Sequence, residues 1–177
     1  EEAFKEIDGQ LFKKQCRTPE EIIALAHDAD AIVTIPSLQS YPRSVVEKLT
    51  RCRLLMGIGI GYEGIDVEAA TEQGICVANI ADYCLDEVSD HALGLLLACS
   101  RRLFPLDRLV REGRWTVERP EIRFKVWPTM RRLRQQTLGL IGFGRIPRTL
   151  VPKAKPLVAK ILVYDPYVPR EIGREFG

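Results

Sequence analysis

Thr137-Leu138-Gly139-Leu140-Ile141-Gly142-Phe143-Gly144-Arg145-Ile146-Pro147 is the stretch that decides the fold. An apolar run of strand length, Thr137 to Ile141, passes directly into a glycine turn, and a helix is expected from Arg145 to Leu157. A second strand, Lys160 to Tyr164, ends at Asp165, 18 residues after Pro147. Strand, glycine turn, helix and a second strand ending in an acid form the arrangement that receives a dinucleotide. Gly142 allows the tight turn and Gly144 lets the backbone approach a pyrophosphate. The helix start offers that anion unsatisfied N–H groups and a positive dipole end. Asp165 is placed to accept hydrogen bonds from an adenosine ribose diol. Its charge repels a 2′-phosphate, so NAD is expected rather than NADP. Pro147 replaces the third glycine and is tolerated in the first turn. Pro152 is interior and removes the bond to the Arg148 carbonyl, while Pro156 lies near the end, so a kinked or shortened helix and weaker cofactor binding are expected.

Upstream, short apolar runs alternate with amphipathic ones. Thr18 is read as an N-cap, with Pro19 at the first helical position and Glu21 closing a capping box. Ala31 to Ile35 follows as a short buried strand. Ser44 to Thr50 is expected to be helical, and Arg53 to Gly59 is a strand running into Gly57-Ile58-Gly59-Ile60-Gly61. Asp66 caps a helix through Gln73, Gly74 suits its left-handed end, and Ile75 to Ala78 is another strand. Three strand–helix alternations in about 80 residues imply an α/β fold with a parallel, doubly wound sheet. Asp86 to Leu103 reads as a long helix, apolar nearly all round its middle, and so is expected to be buried between layers or domains. Pro105 to Glu112 reads as a further helix ended by Gly113, and Gly113 to Gln136 as an irregular arm. Glu1 to Phe4 reads as mid-helix, as in a chain that begins inside a longer protein.

Composition excludes several classes. Hydrophobic residues are 46% and charged residues 28%, too apolar for disorder. With 26 Lys and Arg against 24 Asp and Glu, the net charge of +2 carries no footprint for nucleic acid or membrane. The longest apolar stretch, Ala92 to Cys99, is far too short to span a bilayer, and with no charged-then-apolar leader at its start a signal peptide is not expected. Five scattered cysteines without a CxxC pair fit a reducing, cytoplasmic setting. His91 lies four residues after Glu87, a spacing read as a structural helix pair rather than a catalytic or metal pair. Asp86 and Asp90 read as helix-start charges. Arg131, Arg132 and Arg134 beside Trp127 read as a solvated or partner-facing arm. There is no zinc spacing, nucleophile elbow or Walker lysine.

Four segments together carry a resemblance that covers the whole chain. They are Gly57 to Asp66 (GIGIGYEGID), Asn79 to Cys84 (NIADYC), Glu87 to Ala92 (EVSDHA) and Leu138 to Ile146 (LGLIGFGRI). In order and spacing the chain resembles the D-isomer-specific 2-hydroxyacid dehydrogenases, a family that includes phosphoglycerate dehydrogenase and the C-terminal-binding-protein corepressors. The resemblance implies a flavodoxin-like substrate domain, here residues 1–80, followed by the start of a Rossmann nucleotide-binding domain, residues 81–177. Residues 104–136 match the arm that wraps a partner in a homodimer. By resemblance, the backbone N–H groups of Ile58 and Gly59 bind the carboxylate of a small 2-hydroxy or 2-oxo acid, in keeping with the anion nest that consecutive amides form. Ile60, Gly142, Phe143, Gly144, Arg145, Ile146 and Asp165 match cofactor-binding positions. Gly57, Ile60 and Gly64 stand where many members have an arginine, a hydroxyl residue and an asparagine. The family's catalytic arginine, glutamate and histidine lie beyond Gly177, and neither His27 nor His91 takes that role. The implied activity is NAD-dependent hydride transfer on a CH–OH group, with this stretch alone inactive. A dinucleotide-sensing, non-catalytic module like the corepressors, or a decayed gene fragment, is the alternative.

Overall fold

The computed structural model describes residues 6–176, and the backbone alone for residues 121–123. The expected helical start at Glu1 to Phe4 lies outside the described residues. The chain divides into two compact units, Glu1–Tyr83 and Cys84–Gly177.

The first unit is built on a three-stranded parallel sheet of β1 (Ala31–Thr34), β2 (Leu54–Gly57) and β3 (Cys76–Asn79), in that spatial order. Thr34, Gly57 and Asn79 stand side by side at the C-terminal ends of the three strands. Helix α1 (Pro19–Ala26) begins as expected, with Thr18 Oγ1 accepting from the Glu21 N–H at 3.3 Å. The return half of the capping box is displaced by one residue, because the Glu21 carboxylate accepts from the Arg17 N–H at 2.7 Å. Helix α2 (Arg43–Val46) is shorter than expected. After Val46 the chain tightens, Lys48 N–H donating to the Val45 carbonyl and Leu49 N–H to that of Val46, so Val45, Val46 and Leu49 remain buried without a full α-helix. Helix α3 (Val67–Glu72) is capped by Asp66, whose Oδ1 accepts from Ala69 N–H at 2.8 Å, and closes on Gly74 at φ +70°. These helices bury Ile22, Leu55, Ala69 and Ala70 in one apolar core.

β1 corrects the expectation of a buried strand. It pairs only with β2 among the described residues, so it is an edge strand there, and Val33 is 54% exposed.

The second unit pairs β4 (Thr137–Ile141) with β5 (Lys160–Tyr164) in parallel, Ile141 beside Tyr164. Helix α4 (Leu85–Ser100) ends three residues before the expected Leu103, at a turn in which Arg102 takes a left-handed conformation, φ +54°. Helix α5 (Leu103–Arg111) follows, and Gly113 at φ +63° ends it as expected. The expected burial of α4 is also corrected. Ser89 and Ala98 are buried, whereas Val88 and Leu95 are exposed, because within this unit α4 meets one main neighbour, α7 (Arg145–Ala154).

The arm is more ordered than an irregular linker. It contains α6 (Pro120–Val126) and two single 3₁₀ turns, Trp127–Thr129 and Leu133–Gln135. Pro120 opens the helix instead of breaking it, since the first helical position needs no N–H. Trp127 stands edge-on to Phe124 at 5.2 Å and to Trp115 at 6.2 Å, giving the arm a small aromatic centre of its own.

Helix α7 runs through Pro152 and stops at Ala154. Pro156 has no N–H to return to the Pro152 carbonyl, so the expected shortening is observed. Leu150, Val151 and Ala154 are its buried side. The last described element is α8 (Arg170–Glu175).

Two glycines predict opposite outcomes. A Cβ at Gly64 falls 2.2 Å from the Pro36 carbonyl oxygen, whereas a Cβ at Gly94, inside α4, meets nothing within 4 Å. Gly64→Ala is expected to destabilise by ~1–3 kcal/mol and to lower the melting temperature. Gly94→Ala is expected to stabilise by ~0.5–1 kcal/mol through its helix propensity and to raise it. Thermal unfolding of the two variants beside the parent chain checks both signs.

Candidate functional site

Each unit presents a glycine loop at the C-terminal ends of its parallel strands, where open α/β sheets place ligands.

In the second unit the loop spans Gly142 to Gly144. Gly142 has φ +89° with open space at its Cβ position, so glycine is required there by conformation and not by crowding. Its N–H donates to the Tyr164 carbonyl at 2.8 Å. Phe143 is 1% exposed, edge-on to Phe176 at 5.3 Å, with the Arg148 guanidinium 5.5 Å over its ring. Arg148 Nε also donates to the Phe143 carbonyl at 2.9 Å. The Phe143 side chain is thus an anchor of the loop, and its backbone N–H is already committed, donating to Asp165 Oδ2 at 2.6 Å.

Asp165 is the hub of this loop. Its Oδ1 accepts from the Tyr167 N–H at 2.8 Å and the Val168 N–H at 3.0 Å. These bonds, the one from Phe143 foremost, hold its carboxyl below the usual carboxylate range. A carboxylate offers about four acceptor positions; three are used, and one on Oδ2 remains. Gly144 caps α7 with extended backbone and no side chain. The N–H groups of Gly144 and Ile146 have no acceptor among the described residues. Arg145, the first residue of α7, is exposed beside them. Gly142, Phe143, Gly144, Arg145, Ile146 and Asp165 therefore gather at one strand end as the spacing required.

In the first unit the loop runs from Gly57 to Gly64. Gly59 O accepts from Ile80 N–H at 2.9 Å, and Ile60 O accepts from Asn79 Nδ2 at 2.7 Å. With both carbonyls turned onto the end of β3, the N–H groups of Gly59, Ile60 and Gly61 have no acceptor among the described residues. Gly59 has φ +142°, a backbone region open to glycine. Of the two donors expected for a carboxylate, Gly59 is open, while Ile58 donates its N–H to the Thr34 carbonyl at 2.6 Å. Thr34 is itself buried, with its hydroxyl on Gln39 Oε1 at 3.0 Å, and Gln39 Nε2 donates to the Cys16 carbonyl at 2.8 Å. Ile60, expected near the cofactor, belongs to this loop and is 37% exposed.

Lys153 makes a structural contact that the sequence reading did not anticipate. Its Nζ donates to Asp86 Oδ1 at 2.9 Å, Ser89 Oγ at 2.8 Å and Asp90 Oδ1 at 2.6 Å. Asp86 and Asp90 are thus the two jaws of a clamp from α4 onto α7, one turn from Pro156, and not merely helix-start charges. The carboxylates, Asp86 first, raise the Lys153 pKa above the usual lysine value. Their i,i+4 spacing was the signal. The expected Glu87–His91 bond is not formed among the described residues. Among the described residues no group of three or more His, Cys, Asp or Glu could hold a metal ion, and no helix is long and apolar enough to cross a membrane.

Residues 2–168 match the family described as D-isomer specific 2-hydroxyacid dehydrogenase, catalytic domain. The chain belongs to this family. Among curated members, the D-3-phosphoglycerate dehydrogenase of Methanocaldococcus jannaschii is 35% identical over 100% of this chain and 32% of its own length. The glyoxylate reductase of Pyrococcus furiosus is 33% identical over 98% of this chain and 51% of its own. The chain thus spans about a third of the length of the first relative and about half of the second. Among solved structures, apo D-mandelate dehydrogenase of Rhodotorula graminis superimposes with a TM-score of 0.81 at 20% identity, covering 99% of this chain and 54% of that one, which shows the shared fold. D-lactate dehydrogenase of Aquifex aeolicus, solved with NAD and lactic acid, gives a TM-score of 0.73 at 26% identity, covering 88% of this chain and 44% of that one.

The two charged hubs of this family member have opposite pH signatures. The lowered Asp165 pKa means that its contribution to stability is full above the unfolded carboxylate range and is lost as pH falls through the native value. The raised Lys153 pKa means that its contribution is full below the unfolded lysine range and is lost as pH rises through the native value. Asp165→Asn and Lys153→Met are both expected to lower the melting temperature at neutral pH. The deficit of the first closes in acid and that of the second in strong alkali, which melting curves across pH read directly.

Proposed function

We propose that this chain is the leading part of an NAD-dependent oxidoreductase that acts on the CH–OH group of small 2-hydroxy acids. The first unit, to about residue 80, is the opening of its substrate domain, and the second is the first part of its NAD-binding domain. The observation that carries the reading is Asp165, a carboxylate fixed by three backbone N–H groups with one acceptor position left, beside a positive-φ glycine and open helix-start amides.

These residues fit a dinucleotide. The Gly144 and Ile146 N–H groups, with the Arg145 side chain and the α7 dipole, would hold the pyrophosphate. The remaining lone pair of Asp165 Oδ2 would accept from a ribose hydroxyl, and its charge would repel a 2′-phosphate. Phe143 contributes by locking the loop. When bound, NAD supplies the hydride acceptor or donor for the substrate C2. The open Gly59 N–H would orient the substrate carboxylate, and Ile58 joins it only if its bond to Thr34 gives way. By family resemblance the proton-transferring histidine and its glutamate and arginine lie outside this chain, so the 177 residues bind without turning over. The exposed aromatic arm around Trp127 supports a homodimer, and five free cysteines support a cytoplasmic setting.

Calorimetric titration tests the reading. NAD is expected to bind at least ~10-fold more tightly than NADP, a difference of ~1.4 kcal/mol, and Asp165→Asn to erase most of that preference. Equal affinities of the parent chain for the two nucleotides would overturn it. Absorbance of the reduced nicotinamide with glyoxylate is expected to stay constant.

A further inference from the structure

The arginines of the arm are not accounted for by the glycine loops. Residues 101–136 carry eleven Lys and Arg against four Asp and Glu, a local charge of +7 in a chain of +2. Arg101, Arg102, Arg131, Arg132 and Arg134 have no carboxylate within salt-bridge distance among the described residues. Two of them, Arg102 and Arg131, line a pocket of about 520 Å³ whose walls contain no acidic residue. This volume is in the range of small-molecule sites. The floor is apolar, formed by half-buried Leu96, Leu133 and Leu138.

The pocket sits at the N-terminal end of β4, the opposite end from Gly142. A five-residue strand separates the two by roughly 15 Å, so this is not the dinucleotide loop. Arg102 holds a left-handed conformation, φ +54°, where a glycine would be unstrained. Its Nε donates to Thr129 Oγ1 at 3.1 Å, and both residues line the pocket. Arg102 and Arg131 are both exposed at the pocket and have no carboxylate partner among the described residues, so its wall presents positive charge.

We propose that the pocket at the N-terminal end of β4 binds a small amphipathic anion, a carboxylate or phosphate monoester on an apolar body, with its head group on Arg102 and Arg131. The apolar body lies on Leu96, Leu133 and Leu138, and the head group supplies the negative partner that the pocket walls lack.

Three probes with one body and different heads test this on the 177-residue chain: 2-naphthyl phosphate, 2-naphthoate and uncharged 2-naphthol, titrated by calorimetry. The anions are expected to bind at least tenfold more tightly than 2-naphthol. The tighter of the two anions identifies the head group as phosphate or carboxylate. Arg131→Gln and Arg102→Gly are each expected to weaken anion binding about tenfold and to leave 2-naphthol unchanged. Arg102→Gly also relieves the left-handed strain, so its melting temperature should not fall, which separates lost recognition from misfolding. Saturating NAD should leave the anion affinity unchanged. Equal affinity for all three probes, anion binding unchanged in both variants, or displacement by NAD overturns the proposal.

Discussion

The three hydrogen bonds that converge on the Asp165 carboxylate set the geometry of the second unit. One comes from Phe143, at the heart of the glycine loop, and two come from the turn after β5. They tie the exit of β4 to the exit of β5 at the point where the strand pair opens. These bonds brace the positive-φ turn at Gly142 directly before the start of α7. The buried Phe143 ring and the Arg148 contacts complete the same lock from below.

The Lys153 clamp answers a difficulty that Pro152 creates. A proline inside a helix removes one backbone bond and crowds the preceding turn. Here the next residue spans from α7 to two carboxylates and a hydroxyl on α4. The helix that carries the open amides is held by side chains where its backbone is weakened. The first unit uses a different device for its loop. Asn79 and Ile80, at the end of β3, donate to the carbonyls of Ile60 and Gly59, and the N–H groups of Gly59 to Gly61 have no acceptor among the described residues. In this chain Gly64 lets that loop press on the Pro36 backbone, where a Cβ would fall 2.2 Å from the Pro36 carbonyl oxygen.

Much of this was legible without a structure, and the parts that were share a cause. Strands β4 and β5, the caps at Thr18 and Asp66, the left-handed ends at Gly74 and Gly113 and the turn at Gly142 all follow from residues within a few positions of each other. Helix ends and burial were less legible. The α2 helix and the apolar α4 helix were read longer than they are, and α4 and β1 more buried, because burial depends on which elements lie over a face and not on the residues of that face. The arm shows no clear apolar period in its sequence, yet Pro120 opens a helix within it, because a proline fits the first helical position.

By itself, then, the amino-acid sequence determined the α/β class, the order of the parallel strands along the chain and the residues gathered at each glycine loop, since local backbone preference and apolar periodicity are written in neighbouring positions. Only the tertiary structure decided which donor meets which acceptor. The Phe143 N–H goes to Asp165 across 22 residues, Lys153 reaches Asp86 across 67, and the Ile58 N–H goes to the carbonyl of Thr34 rather than standing open beside that of Gly59. Each pairing joins segments distant in sequence, and a hydrogen bond is chosen by the few tenths of an ångström that the packed fold alone supplies.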